Sequence, residues 1–237
     1  MTHAPVLHSE WLKIRTLRSL PAALLALFAV TTAFSALAGA DDPQSDPLFT
    51  ALSGVLPGQI AAVSFGALAM AAEYHGGALR LSLAAVPRRG RWFAAKATAV
   101  AVPVLLTGLV TAVAALGAAR ARRGAADGLT GSEQARAIVG CAVYLMLMAL
   151  FAAGLTAVLR SGVAALSVLV PFILVVSFVV GDSVGTVADF LPDKAGQTVL
   201  HRTYDGSLGP WSGLAVTALW TAAALAAGAW CVRRRDT

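Results

Sequence analysis

The feature that most constrains the fold of this chain is a series of apolar stretches, each long enough to cross a lipid bilayer. Six such stretches contain no Asp, Glu, Lys, Arg or His: 20–40, 51–72, 97–119, 137–159, 162–181 and 211–232. A helix of about 20 residues spans the hydrocarbon core of a bilayer. Only 13% of residues are charged, about half the share usual in soluble domains. The sequence therefore predicts an all-α membrane protein, in which residues 1–237 form one domain of six transmembrane helices without a soluble domain.

The segment before the first span, residues 1–19, predicts an amphipathic helix that lies in the membrane interface. One apolar face repeats at helical spacing: Leu7, Trp11, Ile14 and Leu17. The charged residues of this interfacial helix are Glu10, Lys13, Arg15 and Arg18. A Trp at this position suits the depth of lipid headgroups. The alternative interpretation is an ordinary charged flank that only sets the orientation of the first span.

Charge counting predicts the orientation of the six spans in the plasma membrane. With both termini in the cytoplasm, twelve Lys and Arg residues lie inside and six outside, whereas nine of the twelve acidic residues lie outside. The positive-inside rule favours this arrangement. The loop 120–136 is the exception, because its basic run would face outward. Since the basic residues lie at the ends of spans, the net charge of +6 indicates membrane orientation and not nucleic-acid binding.

The loop between the second and third spans, Glu73–Lys96, holds five of the eighteen basic residues. Two consecutive glycines, at positions 76 and 77, interrupt the helix that leaves the second span. The following residues predict a short cytoplasmic helix, Ala78–Val86, which Pro87 ends. Its apolar face consists of Leu79, Leu83 and Val86, with Arg80 on another face. Such a face needs a partner surface or the membrane, although the Arg cluster alone would fit a plain membrane anchor.

No catalytic or metal site is apparent in the sequence. The phosphate-binding loop G-x-x-x-x-G-K-[ST] is absent, since no Gly-Lys pair occurs. The four histidines are scattered and show no spacing typical of metal ligands. Ion-coupled transporters generally bury ionisable groups within the membrane. Because the predicted spans contain none, uphill transport by this chain would need energy from another protein.

The central loop, with the pattern E-Y-x-x-G-x-L-R-x-S-L-A-A-V-P-R-R-x-R-x-x-x-A-K, resembles the cytoplasmic loop between the second and third helices of bacterial type-2 ATP-binding-cassette exporter permeases. The N-terminal segment Ser9–Ser19 is similar to the first helix of that family. Three later segments resemble its actinobacterial members: Phe190–Gln197, Leu208–Gly213 and Arg233–Asp236. Gly77 departs from the pattern, because Thr or Ser is expected there, and a second Gly should loosen the hinge.

The resemblance implies a permease subunit that exports lipophilic or amphipathic molecules such as antibiotics and is not itself an enzyme. It implies a separate ATPase subunit that binds ATP and Mg, a second permease subunit, and no cofactor bound by this chain. The residues that it assigns to ATPase coupling are Glu73, Tyr74, Gly76, Leu79, Arg80, Leu83, Val86, Pro87, Arg88, Arg89, Arg91 and Lys96. The alternative is a six-span assembly factor or immunity protein that sequesters a lipophilic compound without transporting it.

Overall fold

The structure is a computed structural model that describes residues 4–38, 46–76, 78–85, 89–123, 129–176, 185–202 and 206–234. All regular secondary structure in these ranges is helical, which confirms the predicted all-α class. The α-helices are α1 Ala4–Thr16, α2 Ser19–Leu37, α3 Pro47–Ala51, α4 Val55–Ala71, α5 Ala78–Ala85, α6 Arg89–Arg123, α7 Gly131–Leu159, α8 Gly162–Pro171, α9 Pro192–Gln197 and α10 Pro210–Arg234. Short 3₁₀ segments cover Ala72–Tyr74, Gly185–Phe190 and Thr198–Leu200, and a π-helical segment covers Phe172–Val176.

Among the described residues, five helices are long and apolar enough to cross a membrane: Ser19–Leu37, Val55–Tyr74, Arg89–Ala121, Gly131–Leu159 and Pro210–Arg234. They correspond to five of the six predicted spans. The remaining one, 162–181, is described only to residue 176, as α8 and the π-helical segment. Pro171 lies at the junction of these two. Because proline has no N–H group, it interrupts the regular hydrogen bonding of the helix at that point.

Several helices start at other residues than the predicted spans, most of all α6, which begins at Arg89 where the predicted span begins at 97. Helix α7 begins six residues early, where Thr130 and Glu133 form a capping box. The second predicted span, 51–72, corresponds mainly to α4, which begins at Val55, and only its first residue, Ala51, belongs to the preceding α3. Asp46 caps α3 by accepting hydrogen bonds from the amides of Leu48 and Phe49. Hydropathy detects only the apolar part of a helix, so it misses such polar ends.

The centre of the bundle is α7, which packs against α4, α6 and α10. Glycines allow these helices to approach closely: a Cβ atom at Gly66 of α4 would overlap the carbonyl oxygen of Ala149 in α7. Gly154 of α7 lies in the same way against Ala224 of α10. Such close contact between backbones favours van der Waals packing, which holds helices together in membranes.

The bundle has two ends, which we name the α5 end and the α9 end after the short helices that lie there. The α5 end contains α1, the Ala72–Tyr74 turn, α5, the start of α6 and the last turn of α10. Arg89 joins two of these elements by donating to the carbonyl oxygen of Val232 at 2.9 Å. The α9 end contains the starts of α4, α7 and α10. There Thr217 of α10 donates to the carbonyl oxygen of Pro192 in α9 at 2.8 Å.

Candidate functional site

Four charged side chains from three separate parts of the chain meet at the α5 end. They are Glu10 and Lys13 of α1, Glu73 of the Ala72–Tyr74 turn and Lys96 of α6, and we call them the charge cluster. The Lys96 Nζ lies 2.7 Å from a carboxylate oxygen of Glu10 and 2.7 Å from one of Glu73. The Lys13 Nζ lies 2.7 Å from Glu10 and 2.8 Å from Glu73. Each lysine therefore bridges both carboxylates, and the four groups form a closed ring.

Three members of the charge cluster are buried and the fourth, Lys13, is partly exposed. The side-chain exposure is 1% for Glu73, 3% for Glu10, 7% for Lys96 and 33% for Lys13. Two carboxylates and two ammonium groups give no net charge. Buried charges are tolerated when they are paired and hydrogen-bonded, but an isolated buried charge is very costly. The integrity of the cluster therefore depends on all four members.

Lys13 lies on α1, outside the spans, and its charged state follows from its two carboxylate partners, Glu10 and Glu73. Burial alone would lower the pKa of Lys13, but the hydrogen bonds to Glu10 and Glu73 raise it above its ordinary value. The carboxylates stabilise the ammonium form, and this effect exceeds the cost of desolvation. Lys13 is therefore positively charged at neutral pH, as the ring geometry requires.

Local backbone geometry directs Glu73 into the cluster. Helix α4 tightens into the 3₁₀ turn Ala72–Tyr74, and His75 then takes an extended conformation. Gly76 follows with φ of +60°, in the left-handed region that glycine occupies without strain. The predicted hinge at Gly76 therefore coincides with this left-handed residue, whereas Gly77 lies outside the described residues. The hydroxyl of Tyr74 donates to the carbonyl oxygen of Ala157 at 3.2 Å, which fixes the turn against α7.

The short helix α5 is attached to the charge cluster by a hydrogen bond. The Ser82 hydroxyl donates to Glu73 at 3.1 Å, through the carboxylate oxygen that the lysines leave free. The predicted apolar face of α5 is covered by the chain itself, because Leu79 is 7% exposed and Leu83 packs against the core. The exposed residues of α5 are different ones: Arg80, Leu81 and Ala84. Leu81 is 74% exposed.

The remaining predicted site residues lie in several places. Arg89 and Arg91 belong to the first turn of α6, where Arg89 donates to the last carbonyl groups of α10 and Arg91 is exposed. The predicted residues Val86, Pro87 and Arg88 lie outside the described residues. In α1, three residues predicted for the interfacial helix are exposed: Trp11, Arg15 and the adjoining Arg18. Glu10 is not on that surface, because the cluster buries it.

All four members of the charge cluster are among the residues predicted from the sequence, but there they belonged to two separate elements. Glu10 and Lys96 are 86 positions apart, so no local pattern relates them. One signal was available in the composition. The chain has only three lysines, and two of them, Lys13 and Lys96, lie at the same membrane face as Glu10 and Glu73. Acidic residues beside apolar spans indicate pairing with nearby basic residues, since an unpaired charge is costly there.

No family model matches this chain, and comparison with curated proteins yields no match either. In the described part of the chain, no group of three His, Cys, Asp or Glu residues is placed to hold a metal ion. The fold and the site together define an all-helical membrane protein whose amphipathic first helix is ion-paired to the turn after α4 and to the start of α6.

Proposed function

We propose that this chain is the permease subunit of an ATP-driven exporter in the plasma membrane. It moves a lipophilic or amphipathic substrate, such as an antibiotic, and is not itself an enzyme. A separate ATPase subunit binds ATP and Mg and docks on the α5 end. A second permease subunit, either a copy of this chain or a related one, completes the export path. The similarity of the Glu73–Lys96 segment to type-2 exporter permeases supports this assignment.

The observation that carries the proposal is the connection between α5 and the charge cluster. Through Ser82 and Glu73, α5 is joined to α1 and α6 as well as to the end of α4. A displacement of α5 therefore acts on two membrane-spanning helices and on the interfacial helix together. Switching of transport proteins commonly proceeds by such rigid-body movement of packed elements. A short helix with these connections is suited to transmit the closure of an ATPase to the spans.

The exposed surface of α5 provides a docking point for that ATPase. Leu81 presents an apolar side chain, and Arg80 beside it presents a positive charge. Together they form a mixed apolar and positively charged surface on which an ATPase can dock. The excess of Lys and Arg at the α5 end supports a cytoplasmic location of this end and of both termini. The ATPase would find α5 on that side.

The test is a charge substitution on the exposed face of α5. The chain is co-expressed with the Walker-motif ATPase encoded nearest to its gene, and co-purification and ATP hydrolysis are measured. Leu81→Glu should abolish both, because it places a carboxylate in an apolar contact without disturbing the core. Leu81→Met is the matched control, since it keeps the apolar surface, and it should retain both properties.

Two results would contradict the proposal. If the wild-type chain retains no ATPase at all, the alternative of a non-transporting assembly or immunity protein is favoured. If Leu81→Glu binds the ATPase as well as Leu81→Met does, α5 is not the docking element. Size-exclusion chromatography of both variants verifies that each is folded.

A further inference from the structure

A cleft of about 530 Å³ lies at the α9 end, far from the charge cluster. It is bounded by α2, the α3–α4 segment, the π-helical segment and α9. Its walls are largely apolar and come from Phe34, Phe49, Pro57, Ile60, Ile173 and Leu174. Sites for small molecules usually have volumes of about 300–1,000 Å³ and apolar walls with a few polar groups. The size and lining of this cleft are therefore those of a site for one small molecule.

Polar side chains collect on one side of this cleft. We call Gln59, Tyr144, Asp193 and Gln197 the polar strip. Gln59, Asp193 and Gln197 line the cleft directly. The Tyr144 hydroxyl donates to the Oε1 of Gln59, and the Nε2 of Gln197 donates to the Tyr144 oxygen at 3.5 Å. Polar residues within a membrane bundle are costly to bury and commonly mark the path or site of a substrate.

One group of the polar strip lacks a partner. Gln59 is only 3% exposed. Within the described ranges, its Nε2 makes no hydrogen bond, although its Oε1 accepts one from Tyr144. This Nε2 is not one of the fully enclosed polar atoms that lack a partner, so it retains some accessible surface. Because Gln59 lines the cleft, an acceptor oxygen on a bound molecule can satisfy this group.

We propose that this cleft binds a neutral amphiphile whose head group contains an amide or a similar donor–acceptor pair. The acceptor of the head takes the Gln59 N–H₂ group, its donor faces Gln197 and the Asp193 carboxylate, and the apolar body lies against Phe34, Ile60 and Ile173. The head is neutral because the lining carries one carboxylate, Asp193, and one ammonium, Lys194. The identification of this amphiphile with the exported cargo rests on the proposed function, whereas its binding does not.

The test is photocrosslinking of the purified full-length chain in phosphatidylcholine nanodiscs without any ATPase. The probe is a fatty-acid ethanolamide with a diazirine in its acyl chain, whose neutral head has an amide and a hydroxyl group. The comparison probe has the same photoreactive chain and ends in a methyl group. The ethanolamide should label the cleft residues saturably, and the hydrocarbon probe should label the lipid-facing surface without preference for the cleft.

Two variants locate the binding. Gln59→Leu should weaken ethanolamide labelling of the cleft by roughly tenfold, because one buried hydrogen bond to the head is lost. Ile60→Trp should abolish it by filling the cleft, without removing any polar group. Leu106→Trp is the matched control on the lipid-facing side of α6, where residue 106 is 55% exposed, and it should leave labelling unchanged.

The outcomes separate this inference from the proposed function. The inference is overturned if both probes label the cleft equally. It is also overturned if Ile60→Trp and Gln59→Leu leave the labelling unchanged. Either result counts against it even if an ATPase docks on α5. Saturable labelling that responds to both variants supports it, even if no ATPase partner exists and the exporter proposal fails.

Discussion

Replacement of Glu73 by Gln tests the central feature of the site, because Glu73 contacts every element that the charge cluster joins. Its carboxylate accepts hydrogen bonds from Lys13 at 2.8 Å, Lys96 at 2.7 Å and Ser82 at 3.1 Å. The substitution keeps the shape of the side chain and removes its charge. It leaves two lysines sharing the single carboxylate of Glu10, and one of them, Lys96, has a side chain only 7% exposed.

The expected loss of unfolding free energy follows from the number and burial of these contacts. Hydrogen bonds to charged groups contribute about 1.5–3 kcal/mol each. The two lysine contacts of Glu73 therefore correspond to about 3–6 kcal/mol, in agreement with the roughly 3–5 kcal/mol that breaking a buried ion pair costs. For a chain of this size, each kcal/mol lowers the Tm by about 2–4 °C. We expect Glu73→Gln to lower the Tm by roughly 10 °C.

The assay is thermal unfolding in detergent or nanodiscs, combined with a double-mutant cycle. Lys96→Met removes the buried ammonium and replaces it with an apolar chain of similar length. Alone it should be destabilising, because it leaves Glu73 and Glu10 with only Lys13, which is 33% exposed. Combined with Glu73→Gln it should recover much of the loss, since an uncompensated buried charge is no longer present.

A loss below about 1 kcal/mol for Glu73→Gln would refute the reasoning, because losses that small are typical of exposed ion pairs. Additive effects of Glu73→Gln and Lys96→Met would refute it as well, since residues in one network should couple. Either result would mean that water or lipid headgroups screen the electrostatic interactions within the charge cluster more than its burial implies.

Two further predictions concern the packing and the pH response of the bundle. Gly66→Leu should destabilise the protein by several kcal/mol, because the added side chain would overlap the Ala149 backbone. Gly117→Ala lies in open space on α6 and should be neutral or stabilising by up to about 1 kcal/mol. Equal Tm values for the two variants would contradict the close α4–α7 contact. Burial lowers the pKa of His201 despite the nearby Asp46. The stability that the neutral His201 contributes is therefore fully present above the ordinary histidine pKa of about 6.5. This stability is lost as the pH falls through the lowered pKa of His201 in the folded protein. The Tm should therefore drop on acidification from pH 7.5 to about 5, and less so in His201→Gln; an identical pH profile would exclude His201 as the source.

Several features could be predicted from the sequence because their causes are local. Apolar stretches of sufficient length predict membrane helices, and five of the six predicted spans correspond to such helices. The end of the helix after Glu73 was predicted as well, because consecutive glycines are costly inside a helix, and Gly76 adopts a positive φ there. Periodicity predicts an amphipathic first helix, and Trp11 and Leu17 of its apolar face are exposed, whereas Ile14 of the same face is buried in the bundle. In each case, a few neighbouring residues contain the information.

Other features were decided by tertiary packing alone. Periodicity identified Leu79 and Leu83 as one apolar face of α5, but only the packed bundle shows that the chain covers this face and leaves Leu81 exposed. The joining of Glu10 to Lys96 likewise depends on how α1 lies across the start of α6.

The polar strip is the clearest case of a feature that exists only in three dimensions. Gln59 and Tyr144 are 85 positions apart, and Gln197 comes from a short helix outside the predicted spans. Hydropathy measures how strongly each segment prefers lipid to water, so it predicts which segments enter the membrane. Which side chains then meet is determined by close packing between helices, where small residues such as Gly66 allow contact and buried polar groups must find partners.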